Sequence, residues 1–134
     1  MNVLTLISIG IASLNILSNN EPTITESNEA KLRTVNHSTF TTGEKLTYKL
    51  HYGAVNAATA TLEVKPTGRT IKGRELYHVV GIGKSISAFD WFFKVRDRYE
   101  SYIDKDGVFP WVFIRRVDEG GYKISQDYTF YQHK

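Results

Sequence analysis

The chain has 134 residues, of which 41% are hydrophobic, 13% aromatic and 23% charged, and its formal net charge is +3. This length fits one domain, and the composition excludes a disordered, collagen-like, coiled-coil or polytopic membrane protein. The lack of cysteine excludes a disulfide framework, thiolate catalysis and zinc fingers. Basic and acidic residues are interspersed, so we expect no nucleic-acid surface.

The N-terminal segment is apolar and uncharged from residue 3 to residue 17. Its length matches the hydrophobic region of a signal peptide and falls short of a membrane-spanning helix. A retained anchor and a buried core segment stay open as alternatives, because no Lys or Arg precedes the apolar run. We expect residues 1–18 to be a signal peptide or apolar leader and the polar residues 19–38 to be a linker. The protein is then periplasmic or secreted, with no transmembrane span once the leader is removed.

Residues 39–134 form the predicted domain, in which apolar residues recur with a period of two and indicate β-strands. In the first strand Leu46, Tyr48, Leu50 and Tyr52 fall on one face, and polar residues fall on the other. Further strands are predicted over 59–64, 75–82, 96–103, 111–117 and 122–132, with a short hairpin at 70–73. Turn signals at 104–107 and 119–121 separate the last three strands.

One segment, residues 85–95, departs from this alternation and predicts a short helix or tight lid, with Ser87 and Asp90 as a capping box. The fold class is therefore mainly β, an antiparallel meander that forms a curved sheet or partial β-barrel with one short helical insert. The last strand ends without a closing element behind it, which leaves an aromatic edge open. Either the first strand pairs with the last, or the domain is C-terminally truncated; we expect truncation.

Several motifs spaced along the domain resemble an exported bacterial family, domain of unknown function 3108. They are Phe40-x-x-Gly43-Glu44-x-Leu46-x-Tyr48, Asp90-x-Phe92-Phe93-Lys94-Val95-Arg96-Asp97, Tyr99-x-Ser101-Tyr102-x-Asp104, Pro110 and Glu119-Gly120-Gly121-Tyr122. The chain departs from the family at Ala57-Ala58, where members commonly carry a glycine. The resemblance implies a secreted or periplasmic protein whose domain continues beyond this chain, and it supplies no catalytic residues.

The polar residues give no clear catalytic or metal site. Among the carboxylates Asp97, Glu100, Asp104 and Asp106, alternation places Asp97 opposite the others, whereas a glycosidase needs two carboxylates flanking one bond. We interpret them as turn formers and as salt-bridge partners of Arg96 and Arg98. The histidines, at positions 37, 51, 78 and 133, lack the short spacing of metal ligands, although His51 and His78 could meet across strands. We therefore expect no metal and no cofactor.

The most distinctive feature is the run Trp91-Phe92-Phe93, because three consecutive large aromatic residues cannot all point into one core. They form a structural plug, a partner contact, or a lid over a hydrophobic pocket. The inner face of such a pocket would use residues from the strands: Tyr48, Tyr102, Trp111, Phe113 or Tyr128.

Two function classes follow from these patterns. The first is a non-enzymatic, exported cell-envelope protein that binds a hydrophobic ligand such as lipid in the curved sheet. The alternative is a structural or protein-interaction module of the envelope, in which Trp91-Phe92-Phe93 docks another envelope protein. A hydrolase of envelope glycans ranks third.

Overall fold

The computed structural model describes residues 31–132. The predicted leader, residues 19–30 of the predicted linker, and His133 lie outside these residues. The described elements, in chain order, are β1 (Lys45–Tyr52), β2 (Val55–Lys65), β3 (Thr70–Ile71), β4 (Arg74–Ser85), α1 (Ser87–Asp90), β5 (Arg96–Asp104), β6 (Pro110–Glu119) and β7 (Tyr122–Thr129). The predicted β class and the short helical insert are confirmed.

All strands belong to one antiparallel sheet with the order β1-β2-β4-β5-β6-β7, and the short β3 pairs with β4. Apart from the short β3, strands that follow each other in the chain are therefore neighbours in the sheet, which confirms the meander. The two edges are β1 and β7. The sheet is open, because its first strand does not pair with its last.

The two faces of the sheet differ in chemistry, because side chains alternate along each strand and the register brings most of the large apolar side chains of the edge strands to one face. We name the apolar face after the side chains that it carries: Leu46, Tyr48, Leu50, Ala58, Ala60, Leu62, Val64, Val79, Gly81, Gly83, Tyr99, Phe113, Val117, Ile124 and Tyr128. The polar face carries the intervening residues, among them Lys45, Glu63, His78, Arg98, Glu100, Arg116 and Asp127. Its charges are largely paired, as in Arg98 with Glu100 at 2.7 Å.

The best-buried part of the molecule lies where β4 begins and β5 ends. Leu76, Phe109 and Trp111 form a small apolar cluster there. Asp104 is fully buried beside them, and its carboxylate accepts hydrogen bonds from Arg74 at 2.6 and 2.7 Å and from Trp111 Nε1 at 3.1 Å. Burial alone would raise the pKa of Asp104, but the hydrogen bonds from Arg74, Gly107 and Trp111 hold it below its usual value. We call this region the Asp104 end.

The last residues of the predicted linker pack against the Asp104 end. Arg33 donates to the carbonyls of Gly107 at 2.8 Å and Val108 at 2.7 Å. The amide of Val35 donates to the carbonyl of Asp106 at 2.8 Å. The described residues 31–38 are therefore fastened to the β5–β6 turn.

The opposite end of the sheet carries α1 and the aromatic run, and we call it the α1 end. The predicted capping box is wrong, because Ile86 is the N-cap and no side chain caps the helix. Asp90 instead accepts hydrogen bonds from Ser85 and Arg96, which bracket the helix along the chain. Ser85, Asp90 and Arg96 therefore hold the helical segment against the end of the sheet, and the predicted pair of Ser87 with Asp90 does not form.

The β6–β7 turn supports the α1 end from the other side. Gly120 and Gly121 have φ angles of 57° and 91°, a backbone conformation that favours glycine. A Cβ atom on Gly120 would lie 2.6 Å from the ring of Phe93. The ring of Phe93 therefore packs directly against the backbone of the predicted Gly120-Gly121 turn.

Candidate functional site

The apolar face is the leading candidate site, because its large side chains are not covered by another layer. Leu46 is 41% exposed, Tyr48 52% and Leu62 42%, and the three are neighbours on β1 and β2. Single exposed apolar residues are ordinary, but a contiguous patch indicates a binding or contact surface.

Three hollows follow one another along this face. The first, of about 290 Å³, lies beside Phe40 and is lined by Leu46, Leu62, Val64, Val79 and Ile103. The middle hollow, of about 270 Å³, is lined by Tyr48, Ala60, Leu62, Gly81, Gly83, Asp97 and Tyr99. The third, of about 430 Å³, lies under α1 and is lined by Tyr52, Ala57, Ala58, Ser85, Phe89, Phe92, Phe93 and Val95. The first two share Leu62, and the last two adjoin at Ala58 and Ala60, so the hollows form one row.

The floor of the middle hollow is made of residues with little or no side chain. A Cβ atom added to Gly81 would find its nearest neighbours, in Leu62 and Tyr99, at 3.8 Å. One added to Gly83 would meet Asp97 at 3.8 Å. These are ordinary contact distances, so packing among the described residues does not require either glycine. Their effect is to leave the hollow open.

Five of the aromatic residues proposed from the sequence lie along the apolar face or line its hollows, in separate groups. Tyr48 lines the middle hollow, and Phe92 and Phe93 line the hollow under α1. Phe113 and Tyr128 lie further along the apolar face, with ring centroids 6.2 Å apart.

Three of the proposed aromatic residues lie elsewhere. Trp91 is 84% exposed and contacts Phe92 edge-on at 5.9 Å. Tyr102 is on the polar face, stacked on His78 at 4.5 Å. Trp111 is in the cluster at the Asp104 end, because the strand register shifts between Tyr102 and Ile103.

The histidines and carboxylates considered from the sequence do not come together in one site. His51 lies opposite Asn56, whereas His78 binds Glu100 at 2.6 Å, so the two histidines do not meet. Glu100 also pairs with Arg98, as predicted, while Arg96 pairs with Asp90. Within residues 31–132, no group of three or more His, Asp or Glu residues has an arrangement that would hold a metal ion.

Three polar residues on the apolar face were not predicted from the sequence as a group. They are Asp97 and Glu119, which form a pair, and the nearby Arg115. A hydrogen bond with Asp97 raises the pKa of Glu119 above its usual value, and the nearby positive charge of Arg115 opposes this shift. The Nε atom of Arg115 is buried and has no hydrogen-bond partner. Strict alternation with Phe113 and Val117 was the available signal, since it places Arg115 and Glu119 on the same face as those residues.

The comparisons with known proteins identify a family and no relative of known activity. The family model described as "Protein of unknown function (DUF3108)" matches residues 47–134. No curated protein and no solved structure matches the chain significantly. No helix among residues 31–132 is long and apolar enough to cross a membrane.

Proposed function

We propose, starting from the fact that the chain belongs to the DUF3108 family, that it is an exported, non-enzymatic protein of the cell envelope that holds a lipid-like ligand. The ligand lies on the apolar face. The row of three hollows between Phe40 and α1 is the observation that supports this function.

The dimensions of the row suit an acyl chain. From Leu46 to Tyr52 the row follows β1 for roughly 20 Å, at about 3.3 Å per residue, which is the length scale of one extended acyl chain. Covering the exposed parts of Leu46, Tyr48 and Leu62 would stabilise the complex by about 25 cal/mol for each Å² of apolar surface removed from water. The small residues of β2 and β4 leave the space that such a chain needs.

The carboxylates support a non-enzymatic role. Asp104 is buried and held by Arg74, and Glu100 is held by Arg98 and His78. A hydrogen bond with Asp97 engages the carboxyl group of Glu119 and raises its pKa.

Ligand binding is tested with a variant in which a larger side chain fills the middle hollow. In Gly81→Leu the new side chain would occupy the space over β4, at a position where a Cβ fits without a clash. Gly68→Leu is the matched control, since Gly68 lies in the β2–β3 loop away from the apolar face and a Cβ there meets nothing within 4 Å. The measurement is binding of N-phenyl-1-naphthylamine, a neutral apolar fluorophore, together with mass spectrometry of lipids extracted from the purified full-length chain.

We expect the wild type and Gly68→Leu to bind the fluorophore and to carry lipid. Gly81→Leu should lose at least tenfold in affinity while keeping the same thermal unfolding midpoint. A wild-type protein that binds no fluorophore and yields no lipid would overturn the proposal. Export is tested separately, by recovery of the full-length chain in the periplasmic fraction of a bacterial host with and without residues 1–18.

A second candidate function is a protein-interaction module of the envelope. Trp91 is 84% exposed and Phe92 75% exposed, although both are large apolar residues. A Trp91→Ala variant that keeps the fluorophore but no longer associates with another envelope protein would favour this function over ligand binding.

A further inference from the structure

Arg115 occupies an unusual position for a cation. It lies in the middle of β6 on the apolar face, opposite Tyr99 of β5 and Gln126 of β7. The same row of the sheet continues through Gly81 and Leu62, which belong to the middle hollow. Neighbouring strands are about 4.8 Å apart, so Arg115 lies roughly 10 Å from Gly81, within reach of an arginine side chain and a ligand head group together.

Arg115 also differs from the other arginines of residues 31–132 in forming no side-chain hydrogen bond, ion pair or ring contact, although its charge acts on Glu119. Four of them form ion pairs: Arg74 with Asp104, Arg96 with Asp90, Arg98 with Glu100, and Arg116 with Asp127. Arg33 binds two carbonyls, and Arg69 lies over the ring of Tyr102.

The buried Nε–H of Arg115, by contrast, has no acceptor, and its guanidinium forms no ion pair with a described residue. Buried donors without acceptors are rare and costly, so each one calls for an explanation.

The acids on the same face do not supply the missing partner. Glu119 is four residues further along β6, and its side chain is hydrogen-bonded to Asp97. Asp97 also accepts the amide of Asp118 at 3.2 Å. The charges of Glu119 and Arg115 interact, but no ion pair joins Arg115 to Glu119 or to any other residue of 31–132, so an anionic group of a ligand can still bind it.

We infer that Arg115 binds the anionic head group of an amphiphile whose acyl chain lies in the row of hollows. This inference rests on the proposed function and specifies its ligand class. A guanidinium matches both a carboxylate and a phosphate through two parallel hydrogen bonds, so the shared chemistry is an anionic oxygen group on an acyl chain. The positive charge of Arg115 favours an anionic lipid over a neutral one.

The chain offers a matched pair of variants, because Arg115 and Arg116 are adjacent and point to opposite faces. Arg115→Met removes the unpartnered cation, and Arg116→Met removes a cation paired with Asp127 on the polar face. Each full-length protein is titrated with oleate and with oleyl alcohol, which share a chain and differ in the charge of the head group. A third titration uses oleoyl lysophosphatidate, so that carboxylate and phosphate sources are distinguished.

We expect the wild type and Arg116→Met to bind oleate or lysophosphatidate about tenfold more tightly than oleyl alcohol, as for a charge-assisted contact. The tighter anion identifies the head group. Arg115→Met should bind all three alike, with an unfolding midpoint no lower than that of the wild type. Equal binding of anion and alcohol by the wild type would overturn this inference and leave the proposed function standing. Binding of none of the three would overturn the proposed function itself.

Discussion

The two ends of the sheet both use an arginine–aspartate pair, but the pairs stand in different surroundings. At the Asp104 end, the Asp104 side chain is fully buried, and the apolar cluster of Phe109 and Trp111 packs beside it. At the α1 end, Asp90 and Arg96 retain 25% and 39% of their side-chain exposure. The neighbouring Trp91 and Phe92 are mostly exposed.

This difference indicates how stability is distributed along the sheet. Removing one partner of a buried, hydrogen-bonded charge pair costs much stability, whereas losing an exposed pair costs little. We therefore expect the Asp104 end to open only with global unfolding. The α1 end should open locally, with a small free energy, and so admit a ligand to the apolar face.

The largest expected effect comes from breaking the buried pair. Asp104→Ala leaves Arg74 and Trp111 without their shared acceptor, and we expect a loss of about 3–5 kcal/mol in the free energy of unfolding. The control is Asp106→Ala, because Asp106 is exposed and lies 4.0 Å from Arg74; we expect a loss below about 1 kcal/mol. Urea denaturation measures both, and equal losses would contradict the asymmetry.

The two tryptophans give the next test, since one belongs to each end. Trp111→Phe removes the hydrogen bond to Asp104 and leaves space in the cluster, so we expect a loss of about 2 kcal/mol. Trp91→Phe makes the same chemical change at an exposed site and should leave the free energy of unfolding unchanged. A comparable loss in Trp91→Phe would mean that the aromatic run is a structural plug after all.

The sequence was sufficient to predict the strands that follow a period of two, whereas β4, with Val79 next to Val80, was predicted as a largely buried strand. Lys45 to Tyr52, for example, alternates without a break, and Gly120-Gly121 marks the turn between β6 and β7. Of the five aromatic residues that the sequence suggested for one inner face, Tyr48, Phe113 and Tyr128 do share a face.

The failures have local physical causes. Trp111 has the same parity as Phe113, but the register shift opposite Pro110, which has no amide hydrogen, moves it into the end cluster. Ser87 and Asp90 have capping-box spacing, but Arg96 comes close in space and takes the carboxylate. Both depend on partners that are set by pairing between strands, which a single sequence does not display.

A smaller and more local effect is expected from Asp90→Asn. The variant weakens the contacts with Ser85 and Arg96, and Ser85 Oγ in turn accepts the amide hydrogen of Val95 at 2.9 Å. We expect faster hydrogen exchange at Val95 with almost no change in the urea midpoint.

The control for this variant is Glu75→Gln, which breaks the exposed pair with Lys105 at the other end and should leave exchange at Val95 unaltered. The pKa of Asp90 is lowered, chiefly by Arg96 and then by Ser85. Its contribution is therefore present above the ordinary value of 3.8 and is lost as the pH falls through the lower folded value. Protection of Val95 that does not decline in acid would contradict this assignment.

The smallest expected effect concerns Glu119. Its backbone forms an isolated β-bridge with Val95 at the α1 end. Its pKa is raised above 4.5, first by the hydrogen bond with Asp97 and then by the charge of Asp97. The stability that this protonated pair supplies is present below the ordinary value and is lost as the pH rises through the raised one. Glu119→Gln keeps a neutral partner for Asp97 at every pH, so the variant should gain thermal stability relative to the wild type as the pH rises above 4.5 and through the raised pKa. The difference should vanish when Asp97→Asn is introduced into both proteins. A difference that survives Asp97→Asn would place its cause outside this pair.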